Sequence, residues 1–316
     1  MDALAVILES PGKLDLGTVA LTAPRADDVV VDVHWSGISS GTERLLWLGQ
    51  MPTFPGMGYP LIPGYETVGE IVEAGPGSGR KVGDRVFVPG ANCFSPLRSL
   101  FGGAASRIVA PGARVVPLPD GLGEDGTLFA LAATAAHTLI DRETGKHLFP
   151  EVIVGHGILG RLIARIVIAL GGPPPSVWEI REERRGGAAG YDVVDPQTVT
   201  RSDHARIIDA SGSVDAIDSM VARLRSQGEI VLAGFYGKPI SFAFPPAFMR
   251  EATFRVSAEW RPGDLALVHA LVGEGKLDLS GLITHRSAAS EAATAYERAF
   301  VDTSCLKMVL DWRSLS

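Results

Sequence analysis

The chain has 316 residues, 29 Lys and Arg against 36 Asp and Glu for a formal charge of −7, and 46% hydrophobic residues. At about 100–200 residues per domain the length predicts two domains; the acidic balance excludes nucleic acid as a partner, and the apolar content excludes disorder. No apolar run approaches the roughly 18 residues of a spanning helix, no basic-then-apolar leader is legible, and Cys93 and Cys305 alone make neither a disulfide framework nor a four-cysteine zinc knot, so a cytoplasmic protein is expected.

Residues 1 to about 120 read as short strands between Gly and Pro punctuation. Val29–Val33, Thr67–Val72 and Arg85–Val88 are the clearest runs, with turns at Gly75-Pro76-Gly77 and Pro89-Gly90. Short, evenly spaced strands predict a β-barrel-like module. An Ala/Leu-rich stretch from Glu124 to about Arg142 predicts a helix. From Pro150 strands and helices alternate. Strands are expected at Val152–Val154, Ser176–Ile180, Arg206–Asp209 and Glu229–Leu232, and helices at Arg161–Leu170 and about Ser213–Arg225. Gly171-Gly172-Pro173-Pro174-Pro175 reads as a helix-to-strand turn. Such alternation predicts βαβ units and an α/β fold with a doubly wound parallel sheet. A helix near Gly263–Val272 and a closing strand at Leu306–Leu310 follow.

Gly155-His156-Gly157-Ile158-Leu159-Gly160 follows a predicted strand and opens a predicted helix. In that context the first Gly permits a tight turn, the second admits a pyrophosphate to the backbone, and the third lets the helix pack closely. The helix start then offers unpaired N–H groups to phosphate. Glu179, 19 residues after Gly160 at the end of the next strand, is placed to accept both ribose hydroxyls of an adenosine. A carboxylate there repels a 2′-phosphate and favours NAD over NADP. Arg181, Arg184 and Arg185 lie close behind and leave a phosphate-binding alternative, and a solvated strand end is a third. Asp209-Ala210-Ser211-Gly212 and Ala233-Gly234-Phe235-Tyr236-Gly237 follow two later strands. Ser211, Gly234 and Phe235 are therefore expected beside the nicotinamide half, since ligands of open parallel sheets bind at strand carboxyl ends. Ordinary turn chemistry is the alternative for each.

Four stretches then carry a resemblance: Ser36-Gly37-Ile38-Ser39-Ser40-Gly41-Thr42-Glu43, Pro63-Gly64-Tyr65-Glu66, Val82-Gly83-Asp84-Arg85-Val86 and Thr134-Ala135-Ala136-His137-Thr138-Leu139. In order, and across nearly the whole chain, they resemble the medium-chain dehydrogenase/reductase superfamily. The resemblance implies a GroES-like β-barrel catalytic domain over 1–126, completed by 269–316, and a Rossmann NAD-binding domain over 127–268. Zinc-dependent members hold zinc with a Cys, a His and a second Cys. Those positions here are Ser39 or Ser40, Tyr65 and about Ala130, with only the neighbouring Glu66 left, so no zinc is expected.

Ile38–Glu43, the zinc-free pattern and the Gly155–Gly160 turn look like the branch of that superfamily that acts on bacteriochlorophyllide pigments. That implies oxidation of a ring-borne 1-hydroxyethyl group to acetyl, with NAD taking the hydride. Trp47, Phe54, Met57 and Tyr59 are expected to contact a large planar tetrapyrrole, because rings stack and thioethers adapt. A loop packed on its own core or on a partner subunit is the alternative. Tyr65 stands at a lost ligand position, but its hydroxyl needs lowering from about 10 to act as a base near neutrality. Thr42 and Ser40 are candidate proton relays, and Glu43 and Glu66 could accept a proton or tune the site. His137 is the candidate histidine, or a packed residue of an Ala-rich helix. A homo-oligomer and transient membrane-surface contact are further expectations. The alternatives are a zinc-free quinone or enone reductase using NADPH, against which Glu179 argues, and a nucleotide-sensing relative without turnover.

Overall fold

The computed structural model describes residues 1–53 and 57–315. Its N-terminal stretch comprises β1 (Asp2–Ser10), β2 (Lys13–Ala20), β3 (Asp28–Ile38), a short α1 (Thr42–Trp47), β4 (Leu61–Pro63), β5 (Thr67–Ala74), β6 (Arg85–Val88), β7 (Arg98–Leu100), β8 (Arg107–Pro111) and β9 (Val116–Pro117). After α2 (Phe129–Thr138) strands and helices alternate: β10 (Val152–Val154), α3 (Ile158–Ala169), β11 (Ser176–Trp178), β12 (Asp192–Val194), β13 (His204–Asp209), α4 (Ile217–Ala222), β14 (Leu224–Leu232), α5 (Phe244–Met249), β15 (Thr253–Val256) and α6 (Pro262–Gly273). β16 (His285–Ala288), α7 (Ala292–Val301) and β17 (Met308–Asp311) complete the series. These elements form two compact units, Met1–Ala130 with Ser280–Ser316, and Leu131–Leu279.

The β unit is organised by β3. Its Val29, Val30, Val31 and Val33 are fully buried, as suits β-branched side chains on a pleated surface packed from both sides. Among the described residues one sheet runs β16-β17-β3-β5-β6-β9 with β8 also on β3, and another runs β2-β1-β4-β7. β17, from the far end of the chain, lies antiparallel to the end of β3, with Met308 opposite Ile38 and Leu310 opposite Ser36. That pairing brings Lys307 to the start of the Ser39–Glu43 segment.

The second unit is built on a parallel sheet in the order β12-β11-β10-β13-β14-β15. Numbered from one along the chain, its strands run 3-2-1-4-5-6, the dinucleotide-binding order whose switch point falls between the first and fourth. Ile153, Val177, Ile207, Ile208, Ile230 and Val231 are fully buried within it, the apolar pattern of strands covered on both faces. The carboxyl edge is marked by Val154, Trp178, Asp209 and Leu232, which are in register.

Three expected helices are shorter or shifted. The one expected over Glu124–Arg142 is a 3₁₀ turn, Glu124–Leu128, followed by α2, which stops at Thr138. Beyond it Asp141 accepts from the N–H groups of Glu143 and Thr144 and sets a turn instead. α3 begins at Ile158, earlier than Arg161, because Gly157 serves as its cap. Past α4 the chain is already extended at Leu224, so the expected helix to Arg225 gives way to β14.

Candidate active site

The glycine turn of the parallel unit is shaped by steric limits. Gly155 has φ +96°, and a Cβ on it would come 3.0 Å from the Ser211 backbone. A Cβ on Gly160 would stand 1.9 Å from the Gly155 carbonyl oxygen, so only glycine lets α3 rest on the turn. Around Gly157 a Cβ would meet nothing within 4 Å. Gly157 caps α3 without a side-chain bond. Ile158, Leu159 and Gly160 thus begin a helix whose first N–H groups face an open cradle, as an anion site requires.

Glu179 is buried behind that turn. Its carboxylate accepts the His156 N–H at 3.0 Å and the Arg181 N–H at 2.9 Å, clipping the β11 loop to the glycine turn. Each oxygen keeps a lone pair for a further donor. Burial pushes His156 down to about 4, so the ring is neutral near pH 7. Its Nδ1–H then donates to the Arg184 carbonyl at 2.7 Å, and Nε2 accepts from the Tyr191 hydroxyl at 2.8 Å. Arg161 donates to the carbonyls of His156, Arg184, Gly186 and Gly187 at 2.8–3.2 Å and fixes the turn that Arg184 opens. Arg181 is exposed. Arg185, one of the phosphate alternatives, is committed to Asp195 at 2.7 Å. At the end of β13 the fully buried Asp209 accepts from Ser211 Oγ at 2.6 Å, the N–H groups of Ser211 and Gly212 at 3.1 Å, and the Tyr236 hydroxyl. A Cβ on Gly234 would lie 2.4 Å from the Gly212 nitrogen, so the loops carrying Ser211 and Phe235 touch. Phe235 is exposed.

In the β unit, of the two serines left open, Ser39 faces Tyr65: Oγ and Oη are 2.8 Å apart and buried. Ser40 is exposed. Thr42 donates its N–H to Ser39 Oγ at 3.3 Å, and its hydroxyl also reaches Tyr65. The lowering that Tyr65 would need to act as a base is not supplied: burial, then the negative charge of Glu66, pushes its hydroxyl up, and no cation stands among its leading influences to reverse this. The hydroxyl therefore keeps its proton near neutral pH. Glu66 lies against Gly37, where a Cβ would come 2.1 Å from its carboxylate, and forms an ion pair with Lys307. Glu43 is buried beside it on α1.

His137 lies in the parallel unit, with Nδ1 2.8 Å from Asp264, and Asp264 also caps α6 through the Arg261 N–H at 2.7 Å. Trp47, Met57 and Tyr59 pack half-buried on a small core of Leu8, Leu46, Leu61 and Leu100. Tyr59 donates to the Leu46 carbonyl at 2.6 Å. Phe54 lies outside the described residues. Among the described residues no three His, Cys, Asp or Glu side chains gather as a metal site. Lys307, Tyr296, Tyr191 and Arg161 were missed at the sequence level. A lone Lys in an apolar closing strand and an Arg on an apolar helix were the available signals.

A 3-2-1-4-5-6 parallel sheet with a glycine turn at its switch point, in one chain with a GroES-like β unit, defines a medium-chain dehydrogenase/reductase. The family model for the alcohol dehydrogenase GroES-like domain matches residues 25–120. The chain is 54% identical to the 2-desacetyl-2-hydroxyethyl bacteriochlorophyllide A dehydrogenases of Cereibacter sphaeroides and Rhodobacter capsulatus, over 99% of each chain. Its fold is that of the 2R,3R-butanediol dehydrogenase from Bacillus subtilis, with a TM-score of 0.83 at 21% identity over 98% of this chain and 99% of that one. The chain belongs to the 2-desacetyl-2-hydroxyethyl bacteriochlorophyllide A dehydrogenase family.

Proposed function

We propose that the chain oxidises the hydroxyethyl side chain of a bacteriochlorophyllide to an acetyl group, using NAD and no zinc. The observation that carries this is identity at 54% along the full length to two dehydrogenases named for that pigment. The open cradle at Gly157 fits a dinucleotide pyrophosphate. Ile158, Leu159 and Gly160 would offer it backbone N–H groups, and Glu179 would accept the ribose hydroxyls, which favours NAD over NADP. Ser211, Gly234 and Phe235 would border the nicotinamide, and Arg181 the adenosine. When bound, the nicotinamide accepts the hydride from the carbinol carbon.

The β unit handles the proton. Tyr65 meets the substrate hydroxyl; as its oxygen takes that proton, its own passes to Ser39 or Thr42. Half-buried Thr42 and exposed Ser40 carry it to water. Zinc independence is supported by the site's chemistry: Ser39 and Tyr65 satisfy each other where a metal would need thiolate and imidazole. Glu66 holds Lys307 in place, and His137 keeps α2 on α6. Trp47, Met57 and Tyr59 give the pigment an apolar contact. A homo-oligomer is supported by β15, which ends the parallel sheet without an outer partner strand among the described residues, and by exposed Phe244, Phe248 and Met249 beside it in sequence. Among the described residues no helix is long and apolar enough to cross a membrane. A cytoplasmic enzyme that touches a membrane surface to collect its pigment completes the proposal.

The test is an absorption spectrum of the protein mixed with NAD and hydroxyethyl-bacteriochlorophyllide in chelating buffer. A red shift of the long-wavelength band with NADH appearing supports the reading. An unchanged spectrum despite NAD binding overturns it. Tyr65→Phe should then lower kcat by at least about 100-fold, the lower end of proton-transfer catalysis.

A further inference from the structure

We infer that Glu43, Glu66 and Lys307 form a buried charge cluster that keeps a proton on Glu43 near neutral pH, and that loss of this proton slows turnover at the Ser39–Tyr65 pair. The inference rests on the proposed meeting of Tyr65 with the substrate hydroxyl.

The cluster contains two carboxyls and one ammonium, none more than 3% exposed. Lys307 is committed to Glu66: its Nζ pairs with that carboxylate and donates to the Ile38 carbonyl at 3.1 Å. Glu43 has much less. One oxygen receives a long bond from the Ser39 N–H at 3.4 Å, and the other is buried without a hydrogen-bond partner. The groups that face it are the Tyr296 hydroxyl on α7, Glu66 before β5, Lys307 before β17 and the Ser39 backbone. Tyr296 is itself buried, and its oxygen is available as an acceptor. A buried carboxylate facing one neutral hydroxyl and a second carboxylate is poorly compensated, whereas a carboxylic acid donating toward Tyr296 is not. Burial accordingly pushes Glu43 up to about 8, ahead of the opposing pull of Tyr296 and Lys307.

With that proton the cluster is neutral; without it, it carries a single negative charge. Both Glu43 and Glu66 raise the proton affinity of Tyr65, so the charge is felt at its hydroxyl. Oxygen becomes partly anionic as an alcohol is oxidised, and an uncompensated negative charge behind Tyr65 opposes this. Glu43 is thus a positioning residue that acts through Tyr65 and does not touch the substrate.

The test pairs infrared difference spectroscopy across about pH 8 with kcat for pigment oxidation over the same range. The native protein should lose a protonated-carboxyl C=O band as pH rises, and kcat should fall on the alkaline side by up to about tenfold per unit. Glu43→Gln should lack both the band and the fall. Glu66→Gln, which frees Lys307 for Glu43, should move the band to lower pH and, because the deprotonated cluster is then neutral, should abolish the alkaline fall; it serves if Glu43→Gln does not fold. Persistence of the band or of the fall in Glu43→Gln, or an unmoved band or a persisting fall in Glu66→Gln, overturns the inference. Failure to oxidise the pigment with the infrared titration intact removes the functional reading and leaves the cluster standing.

Discussion

Lys307→Met is the most demanding test of how the β unit is built. Lys307 is 3% exposed and its partner Glu66 is fully buried against Gly37. Methionine fills most of the lysine stem's volume, so the change removes the charge more than the packing. The Glu66 carboxyl then faces Glu43 with no cation, and breaking a buried pair on one side costs about 3–5 kcal/mol. For a unit of this size each kcal/mol moves the midpoint by about 2–4 °C, giving a drop of about 6–20 °C.

The sign with pH follows from the proton count. Glu66 is raised from 4.5 by burial, with Lys307 pulling it back down. Without Lys307 the folded state holds a proton on Glu66 that the unfolded chain releases above 4.5. Stability of the variant therefore falls more steeply than that of the native protein as pH rises. Melting curves near pH 5 and near pH 8 should show a gap that widens toward alkali, and Lys307→Met with Glu66→Gln should close part of it. A variant melting within about 2 °C of the native protein near pH 8, where about 1 kcal/mol or less is lost, would refute the reasoning. A gap independent of pH would refute it equally.

Gly160→Ala forces a Cβ to within 1.9 Å of the Gly155 carbonyl; displacement of α3 by overpacking at about 1–3 kcal/mol should raise the NAD Kd by about 5- to 150-fold, read by fluorescence titration. Glu179→Gln removes the carboxylate that clips His156 and Arg181; NAD affinity should fall by about 10- to 100-fold while NADP loses less, measured by calorimetry. Glu43→Gln should grow more stable relative to the native protein as pH rises from 4.5 to about 8, by at most about 5 kcal/mol. There the native folded state binds a proton that its unfolded chain does not, so melting curves with a constant difference across that window would contradict it.

The parallel unit was legible because its signals are local. Val152–Val154, the glycine turn and Glu179 lie within one βαβ repeat, and the geometry at Gly155, Gly157 and Gly160 follows from backbone sterics over six residues. Helix ends were less legible. Thr138 and Leu224 lie where a turn built by Asp141 and a strand pairing with β13 override helical composition. In the β unit, Ser39 and Tyr65 were visible only as departures from a motif, and Glu66 as the residue of it that remained. The sequence could name Tyr65 but not its environment. The sign of its shift depends on its burial and on which charges surround it, and burial with Glu66 nearby pushes it up.

Lys307 shows why that environment was hidden. It meets Ile38 across 269 residues of sequence, through the pairing of β17 with β3. No periodicity or spacing links two positions so far apart; only the sheet does. The same pairing makes the C-terminal strand part of the site's electrostatics. β17 sets where Lys307 stands, Lys307 neutralises Glu66, and Glu66 leaves Glu43 as the carboxyl that must take a proton. A change that shifts β17 along β3 without unfolding it would therefore alter the charge behind Tyr65 before it altered any residue that touches Tyr65.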